Sequence, residues 1–536
     1  MVINLGGYSV VLTADRTLMS NYGGGLFYGF IATAPHKGFL FSHPLLLFTF
    51  VFKPVKVDRY GRAQLAPHGL RRIEAALIES GITSPEEIIV SPPEKLENVV
   101  SEKTAVIGIT ANDPLGKGPA STTVAGETGV IHEEPYTAWQ FRKLVTSRIV
   151  QDARKRGAKV VVGGPGAWQI DLDVMKRYGI DFVVDGEGEI VAPKLFKKIL
   201  DGENLETPAI IKTRFDEYPN AEQIPLLKGA TVGGVVEVSR GCGRGCRFCT
   251  PTLRRLRHRS MEDIISDIET NIKFGQDAIC LHAEDLLMYG SYDYLVKHDK
   301  VIGLISKALK LKGLKSLGPS HIALVSVASS PKTAEAFSEL ITSRLNQPWI
   351  AYQTGIETGS PRLIEMHMEK KPYPYKPKEW PEVVERAFAI SADCKLIPCA
   401  TVIINLPKET EDDVIKTIEL LEKLRPYKSF IAPLLFVPIK KDDTHKRMRL
   451  VEDAEPWHIE LYRTIWRHNM KWLKSLGLEY SAGNDLLTRI FIRGFVRYIL
   501  AYANRVAEKF FDEKLKSLKS GTYRLIEEEV FKAVHF

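Results

Sequence analysis

The stretch SRGCGRGCRFC, residues 239–249, contains three of the six cysteines of this 536-residue chain. It directly follows the strand-like run GGVVEVS, and in parallel α/β folds ligands gather at the carboxyl ends of strands. The glycines let the backbone fold tightly, and the arginines favour thiolates over thiols. Because thiolates held this close repel one another without a cation among them, Cys242, Cys246 and Cys249 predict a metal centre.

The composition is that of an ordinary multidomain protein, with 44% hydrophobic and 26% charged residues. The length predicts about two to four domains. The first residues do not have the pattern of an export signal, and no apolar run is long enough to cross a bilayer. We therefore expect a cytoplasmic protein whose clustered cysteines bind metal rather than form disulfides. The net charge of +8 does not by itself indicate a nucleic-acid partner.

Short apolar runs alternate with helical segments between residues 65 and 205. The strand candidates are EEIIV, TAVIGIT, KVVVGGPG and IDFVVDGEGE. This alternation predicts an open, doubly wound α/β domain with a parallel sheet. Residues 1–64 do not fit the alternation, and we assign them no role.

A second alternating series occupies residues 230–445. Its strand candidates are VVEVS, AICLHAED, IALVSVA, IAYQTGIE, CATVIINLP and FIAPLLFVP. Six strands with intervening helices predict a complete or partial β/α barrel of the TIM type. Residues 446–536 show no further strand pattern and predict a helical region.

Two kinds of metal centre fit the three clustered cysteines. Structural zinc needs four ligands, and His258 is the available fourth candidate. The spacing CxxxCxxC with only three cysteines resembles instead the signature of the radical S-adenosylmethionine (SAM) enzymes. That resemblance implies that Cys242, Cys246 and Cys249 bind three irons of a 4Fe-4S cluster. The fourth iron is then open to the amino and carboxylate groups of SAM.

Further segments are similar to SAM-binding elements of the same family. The resemblance implies that Phe248 lies against the adenine and that Glu284, in AICLHAED, binds the methionine amine. GIETGSPRLIEMHMEKK is similar to a fifth-strand segment, which implies that Glu357 and Ser360 approach the ribose and amine. VIINLPKETEDDV is similar to the sixth-strand element.

The first domain resembles the Rossmann-like domain of the cobalamin-binding branch of these enzymes, through VVVGGPGAW and YGIDFVVDGEGE. This resemblance implies a cobalamin at the strand ends. The candidate contacts are Asp113, Gly163, Gly164, Pro165, Gly186 and Glu187. The DxHxxG segment that supplies a histidine to cobalt in many cobalamin proteins is missing. The alternative that this domain has kept the fold but no longer binds cobalamin therefore remains.

Several other features point away from additional sites. The amino-terminal cysteines that related methylthiotransferases use for a second cluster are missing. We expect Cys280, Cys394 and Cys399 to be core residues. The basic segment LRRLRHRSMEDII is expected to be a solvated face or to neutralise anions ahead of a capped helix, so nucleic-acid contact is not expected. His282 is a candidate functional residue by position only.

The resemblance implies an enzyme that generates a 5'-deoxyadenosyl radical. Within the cobalamin branch, the leading hypothesis is methyl transfer to an unactivated carbon of a small or lipid-like substrate. One alternative is radical rearrangement, cyclisation or carbon coupling without methyl transfer. Another is a noncatalytic iron-sulfur or zinc module. An electron donor such as a ferredoxin or flavodoxin is implied, and no catalytic acid, base or hydrogen donor is assigned.

Overall fold

The structure is a computed structural model that describes residues 7–21, 26–37, 47–49, 51–129, 132–250, 254–438, 447–450, 452–481, 485–498, 500 and 504–520. Within these residues the strands form parallel sheets with helices between them, apart from one two-residue antiparallel ladder, and the last elements are helices. The predicted fold class, α/β with parallel sheets, is thus confirmed.

A six-stranded parallel sheet, the first sheet, forms the amino-terminal part. The strands of this part are β1 (Val10–Ala14), β2 (Leu65–Ala66), β3 (Ile88–Val90), β4 (Val106–Thr110), β5 (Lys159–Gly163), β6 (Phe182–Asp185) and β7 (Ala209–Lys212). All except β2 belong to the sheet, in the order β3-β1-β4-β5-β6-β7. β1 and β4 are buried along their whole length because both faces of the sheet are covered by apolar clusters.

The position of β1 differs from the sequence prediction. The four strands predicted between residues 65 and 205 are present, but β1 comes from the segment 1–64 that we had set apart. It lies between β3 and β4 and pairs with both. The segment preceding β3 contains no regular alternation of strands and helices, so periodicity could not connect β1 to the sheet.

The helices of this part lie between its strands. They are α1 (His68–Glu79), α2 (Leu96–Val99), α3 (Pro119–Val124), α4 (Tyr136–Val145), α5 (Arg148–Lys155), α6 (Leu172–Tyr178) and α7 (Val191–Leu200). Along α1, side chains such as Leu70 and Leu77 are buried in the cluster on one face of the first sheet. An amphipathic pattern of this kind is what packs a helix against a sheet.

Two three-stranded parallel sheets, here called the paired sheets, follow in the chain. The strands of this part are β8 (Ala230–Thr231), β9 (Val235–Glu237), β10 (Ser239–Arg240), β11 (Arg257–His258), β12 (Ala278–His282), β13 (Ser316–Pro319), β14 (Ile350–Glu357), β15 (Leu396–Ile404) and β16 (Phe430–Leu435). The sheet orders are β13-β12-β9 and β14-β15-β16. A parallel bridge between His321 and Gln353 joins the two, so β9 and β16 are the two outer edges.

The helices between these strands cover one face of the paired sheets. They are α8 (Met261–Lys273), α9 (His298–Ala308), α10 (Leu324–Ser329), α11 (Pro331–Arg344), α12 (Pro361–Met368), α13 (Trp380–Asp393) and α14 (Glu411–Leu424). The predicted cap of α8 is present, since the hydroxyl of Ser260 accepts from the N–H of Asp263 at 3.0 Å.

One predicted strand was wrong. The run IALVSVA was taken as a strand, but its residues Leu324–Ser329 form α10, and the strand at this place in the series is β13. Leu324, Val325 and Val327 are all buried in the same core cluster. A short apolar run that is buried on all sides carries no periodicity, so it fits a strand or a helix equally well.

Helices of the amino-terminal part contact the part with the paired sheets near both of its outer edges. At β16, the N–H of Leu435 donates to the hydroxyl of Thr123 in α3 at 2.8 Å. Near β9, Nη2 of Arg72 in α1 donates to the carboxylate of Asp267 in α8 at 2.6 Å. The amino-terminal part therefore spans the gap between β9 and β16.

The described residues after the paired sheets are mainly helical. The helices are α15 (Pro456–Ser481), α16 (Leu486–Tyr498) and α17 (Asn504–Ser520). Among the helices of the described residues, none is both long enough and apolar enough to span a bilayer.

Candidate functional site

The cysteine loop begins and ends at a two-residue ladder. β10 and β11 are antiparallel and pair Arg240 with Arg257, so the cysteine loop between them, described at residues 241–250 and 254–256, lies at the carboxyl end of β9. Inside the loop, the N–H of Cys249 donates to the carbonyl of Cys246 at 3.2 Å. The fold therefore places the loop at a strand end, as predicted.

The three clustered cysteines line one cavity of about 230 Å³. None forms a disulfide, and burial raises the pKa of all three thiols. Within the described residues, no three ligating side chains converge closely enough to hold a single metal ion. Thiolates that bind three different irons of one cluster need not converge on a point. Buried thiols that ionise only when a cation compensates them suit such a cluster.

His258, the fourth ligand of the zinc alternative, does not line this cavity. Its Nε2 lies 2.8 Å from the carbonyl oxygen of Ser291. Burial lowers the pKa of the imidazole, and its ring makes edge contacts with Tyr289 and Tyr292. The structure thus gives His258 a packing role at the base of the loop.

Glu357 has an unusual backbone conformation at the end of β14. A register shift between Gly355 and Glu357 interrupts the pairing with β15. Glu357 has a φ of 63°, a left-handed value that non-glycine residues seldom adopt. A Cβ on Gly355 would lie 1.8 Å from Oε1 of Glu357, so only glycine leaves room for the carboxylate. Backbone strain of this kind concentrates at functional sites, and Glu357 lines the thiol cavity.

Lys371 and Thr401 hold the carboxylate of Glu357 in place. Nζ of Lys371 lies 3.1 Å from Oε1, and the Thr401 hydroxyl donates to Oε2 at 3.0 Å. Burial opposes the charge of Lys371, but Glu357 and the sulfur of Cys246 outweigh it and raise the pKa of the ammonium. Lys371 is the last residue of the segment GIETGSPRLIEMHMEKK, but the sequence does not distinguish it from the neighbouring Lys370 as the partner of Glu357.

Of the other residues predicted to bind SAM, two face the cavity and one does not. Phe248 and Glu284 line it, and burial raises the pKa of the Glu284 carboxyl. Ser360 is fully buried. Its hydroxyl donates to Oδ1 of Asp413 at 2.5 Å and accepts from the N–H of Leu363 at 3.4 Å. Ser360 is therefore the N-cap of α12, and its predicted approach to the cofactor stays a prediction.

The inner face of the paired sheets, opposite the helices, is partly exposed. Along β12 the buried residues alternate with half-buried ones, which include Cys280 and His282. Nδ1 of His282 and Nδ1 of His321 each lie 3.0 Å from the hydroxyl of Ser320. Burial lowers the pKa of His321 to about 4, so its ring is neutral at pH 7.

This alternation corrects one prediction about the remaining cysteines. Cys280 and Cys399 are half-buried on the inner face rather than members of the core, because a strand with helices on only one side buries every second residue. Cys394 packs against the core cluster, as predicted.

A second cavity of about 310 Å³ lies between the first sheet and the paired sheets. Loops after β4 and β5 line one side with Asn112, Trp168 and Gln169. The inner strands line the other side, mostly with apolar side chains. These are Ile403, Leu434, Leu435, Phe436 and Val437. Phe248, Cys249, Glu357 and Thr401 line both cavities, so the two meet directly beside the thiols.

The strand-end residues predicted from the cobalamin resemblance do not line this second cavity. Gly164 has a φ of 101°, and a Cβ there would lie 2.6 Å from Oγ1 of Thr110. A Cβ on Gly186 would lie 2.6 Å from that of Thr213. Gly163 is half-buried and Pro165 is exposed. These glycines let neighbouring loops pack closely, and their contact with a cofactor stays a prediction, whereas Trp168 and Gln169 nearby line the cavity.

Asp113 and Glu187 also have structural partners. Oδ1 of Asp113 accepts from the N–H of Gly118 at 2.9 Å and from Nε2 of Gln169 at 2.6 Å, so Asp113 orders the loop that lines the cavity. Glu187 is buried and pairs with Arg240 and Arg257. The resemblance to the cobalamin-binding branch gave both residues as cofactor contacts, and that role stays a prediction.

The basic run after the cysteine loop is mostly turned inward. Arg257 and Arg259 are buried, with Glu187 and Asp267 as their carboxylate partners. Arg254 is half-buried, and Arg255 is exposed. The run thus neutralises internal carboxylates rather than forming a broad basic surface.

Comparison with known proteins identifies part of the chain. Residues 236–421 match the family model described as the radical SAM superfamily. A tRNA-2-methylthio-N(6)-dimethylallyladenosine synthase of Thermotoga petrophila is 25% identical over 274 residues, which cover 50% of this chain and 57% of that protein. A putative methylthiotransferase of Methanocaldococcus jannaschii is 25% identical over 288 residues, 51% of this chain and 59% of that protein. The match therefore spans less than two thirds of these relatives.

Two solved structures resemble the chain over more of its length. Both are of TsrM, a radical SAM methyltransferase from Kitasatospora setae. One, with tryptophan substrate and a SAM analogue bound, has a TM-score of 0.52 at 15% identity and covers 80% of this chain and 75% of that one. The other, with cobalamin and a [4Fe-4S] cluster bound, has a TM-score of 0.51 at 15% identity, with 81% and 77% covered. At this identity the likeness shows a shared fold.

Proposed function

Because residues 236–421 are a radical SAM domain, we propose that the chain is a radical SAM enzyme that transfers a methyl group to an unactivated carbon, with cobalamin as the carrier. The observation that supports this most is the meeting of two cavities at Phe248, Cys249, Glu357 and Thr401. One contains the cysteines, and the other is bordered by the first sheet. A radical formed in one would be next to a carbon or carrier held in the other.

The thiol cavity has the charges that the cluster and SAM require. Cys242, Cys246 and Cys249 would hold the three irons. Glu357 and Lys371 present a carboxylate and an ammonium side by side, which match the amino and carboxylate groups of SAM. Glu284, which lines the same cavity, is a second carboxylate for the cationic end. Phe248, at the boundary of the two cavities, would contact the adenine.

What supports cobalamin binding is the lining of the second cavity, not the glycines predicted from the sequence. Trp168, Leu434 and Phe436 offer an apolar wall for the corrin, and Asn112 and Gln169 offer amides for its polar side chains. When bound, the cluster and SAM supply a 5'-deoxyadenosyl radical, and cobalamin supplies the methyl group. The protein's part is to hold these groups, to exclude water with the apolar wall and to bring the substrate carbon to the shared boundary.

The proposal includes an architecture and a substrate class. We infer that the first sheet is a Rossmann-like domain and that the paired sheets are a partial TIM-type barrel whose open side faces the first domain. The residue ranges 65–205, 230–445 and 446–536 stay our proposed domains, with β1 added to the first. The largely apolar wall favours a small or lipid-like hydrophobic substrate, and a ferredoxin or flavodoxin would supply the electron.

Methylthio transfer, the activity in the names of the curated relatives, is not proposed. The first 241 residues contain no cysteine, so the first domain has no thiol ligands for the second cluster that such enzymes use. Rearrangement or carbon coupling without methyl transfer stays the second candidate, because Asp113, Gly164 and Gly186 are engaged within the first domain.

The test begins with protein purified without oxygen from cobalamin-fed cells. We expect about four irons, with cobalt near one per chain. Methyl-labelled SAM and a reductant should then yield 5'-deoxyadenosine and label in a small molecule from a cell extract. Cys246→Ser should lose iron, while Trp168→Ala should lose cobalt and keep iron. Deoxyadenosine without cobalt or label would favour rearrangement, and no deoxyadenosine at all would favour the noncatalytic module.

A further inference from the structure

Two buried arginines face each other at the base of the cysteine loop. Arg240 in β10 and Arg257 in β11 are cross-strand partners in the only ladder that joins these strands. They are 9% and 5% exposed, respectively. The loop that they enclose, residues 241–256, contains all three clustered cysteines. Like charges placed directly opposite each other in a ladder repel, and burial increases the effect.

A single carboxylate from the first sheet lies between the two arginines. Oε2 of Glu187 accepts from Nη1 of Arg240 at 2.7 Å and from Nη1 of Arg257 at 3.0 Å. Oε1 accepts from Nη2 of Arg257 at 2.6 Å. Burial opposes ionisation of Glu187, but these bonds hold the pKa of its carboxyl below the ordinary value.

The two arginines depend on Glu187 to different degrees. Arg240 also pairs with Glu237 and Glu189. The other bonds of Arg257 in the described part of the chain go to the carbonyls of Arg255 and Pro219. Glu187 is therefore the carboxylate that neutralises Arg257, and it links the side chains of the two facing arginines across the ladder.

Glu187 is itself fixed by the first sheet. It lies in the loop after β6, and the hydroxyl of Thr213, which follows β7, donates to its carbonyl at 3.0 Å. Glu187 thus belongs to the first domain, whereas the two arginines that it binds, Arg240 and Arg257, lie 53 and 70 residues away in sequence.

We propose that Glu187 is a positioning residue for the iron-sulfur cluster: it holds the base of the cysteine loop closed from the first domain, so that the three thiols keep the spacing that the cluster needs. The proposal rests on the cluster but not on cobalamin or methyl transfer. It assigns the amino-terminal domain a role in cluster retention that is independent of any ligand in the second cavity.

The test compares Glu187→Gln with Asp181→Asn in the full chain. Asp181 is a matched control because it is buried in the same domain and pairs with Arg154 without touching the loop. In protein without iron, we expect amide hydrogen exchange of residues 241–256 to be about tenfold faster in Glu187→Gln. After anaerobic reconstitution, this variant should lose iron faster on gel filtration and show a broadened electron paramagnetic resonance signal of the reduced cluster. Asp181→Asn should change neither property.

A second variant separates loop positioning from general destabilisation. Glu187→Gln combined with Arg257→Gln removes the carboxylate and one of the facing charges, so it should recover part of the protection and iron retention. Loop exchange in Glu187→Gln equal to wild type, or equal acceleration in Asp181→Asn, would overturn the proposal. If Glu187→Gln alone does not fold, recovery of folding in the double variant supports the proposal and continued failure contradicts it.

Discussion

At the scale of single residues, the charge of Lys371 is the feature that the sequence pattern did not show. Its ammonium lies beside Glu357 in the thiol cavity. Lys371→Met keeps most of the aliphatic volume and removes the cation that we assign to the SAM carboxylate. Because a hydrogen bond to a charged group contributes about 1.5–3 kcal/mol, we expect SAM to bind about tenfold to a hundredfold more weakly.

Equilibrium binding of SAM to the anaerobically reconstituted variant is the measurement. Iron content should stay at the wild-type level, since Lys371 is not a ligand. Lys370→Met is the matched control, because the neighbouring Lys370 is exposed and its loss should leave the affinity unchanged. Equal affinity in the two variants would mean that Lys371 serves only to balance Glu357.

At the scale of elements, Asp413 joins the beginnings of two helices. In α14 it accepts from the N–H and hydroxyl of Thr410, and it also accepts from Ser360, the N-cap of α12. Burial opposes ionisation of Asp413, but the bonds from Arg362, Ser360 and Thr410 together lower the pKa of its carboxyl. Ser360→Ala should therefore destabilise the protein by about 2 kcal/mol in urea unfolding.

The same variant decides the role of Ser360, since a capping residue should leave SAM affinity and deoxyadenosine yield unchanged. Ser260→Ala, at the exposed cap of α8, is the comparison and should cost about 1 kcal/mol. A drop in SAM affinity for Ser360→Ala, with stability unchanged, would return Ser360 to the cofactor site.

Some strands, helices and site residues could be predicted from the sequence patterns, and others could not. β4, β5 and β6 were predictable because short β-branched runs alternate with amphipathic helices. The three cysteines and Glu357 were found because local motifs contain them. α10 was mistaken for a strand because complete burial removes periodicity. Lys371 was not assigned because the sequence does not distinguish it from the neighbouring Lys370. The charged partners of Ser360 and Glu187 lie at least 53 residues away, and only the folded chain brings them together.

At the scale of the whole molecule, the first sheet and the paired sheets share buried ion pairs as well as a cavity. Arg72 of α1 and Arg259 after β11 both donate to Asp267, which is fully buried and also accepts from the N–H of Leu227 at 2.8 Å. The gap between β9 and β16 is thus bridged by charged contacts as well as by the bond from Leu435 to Thr123. Such contacts predict that the two parts unfold together.

Asp267→Asn tests this coupling. The amide keeps the size of the carboxylate but takes the charged partner away from two buried guanidinium groups, leaving Arg72 with Glu237 at 3.9 Å. Removing one partner of a buried ion pair costs about 3–5 kcal/mol, so we expect a loss of that order in urea unfolding. Hydrogen exchange should show strands of the first sheet and of the paired sheets losing protection in one transition.

Asp277→Asn is the control, because its pair with Lys315 is on the surface and should contribute less than about 1 kcal/mol. If the first sheet and the paired sheets lost protection in separate transitions, each part would be stable alone, and the ion pairs would only hold one part against the other.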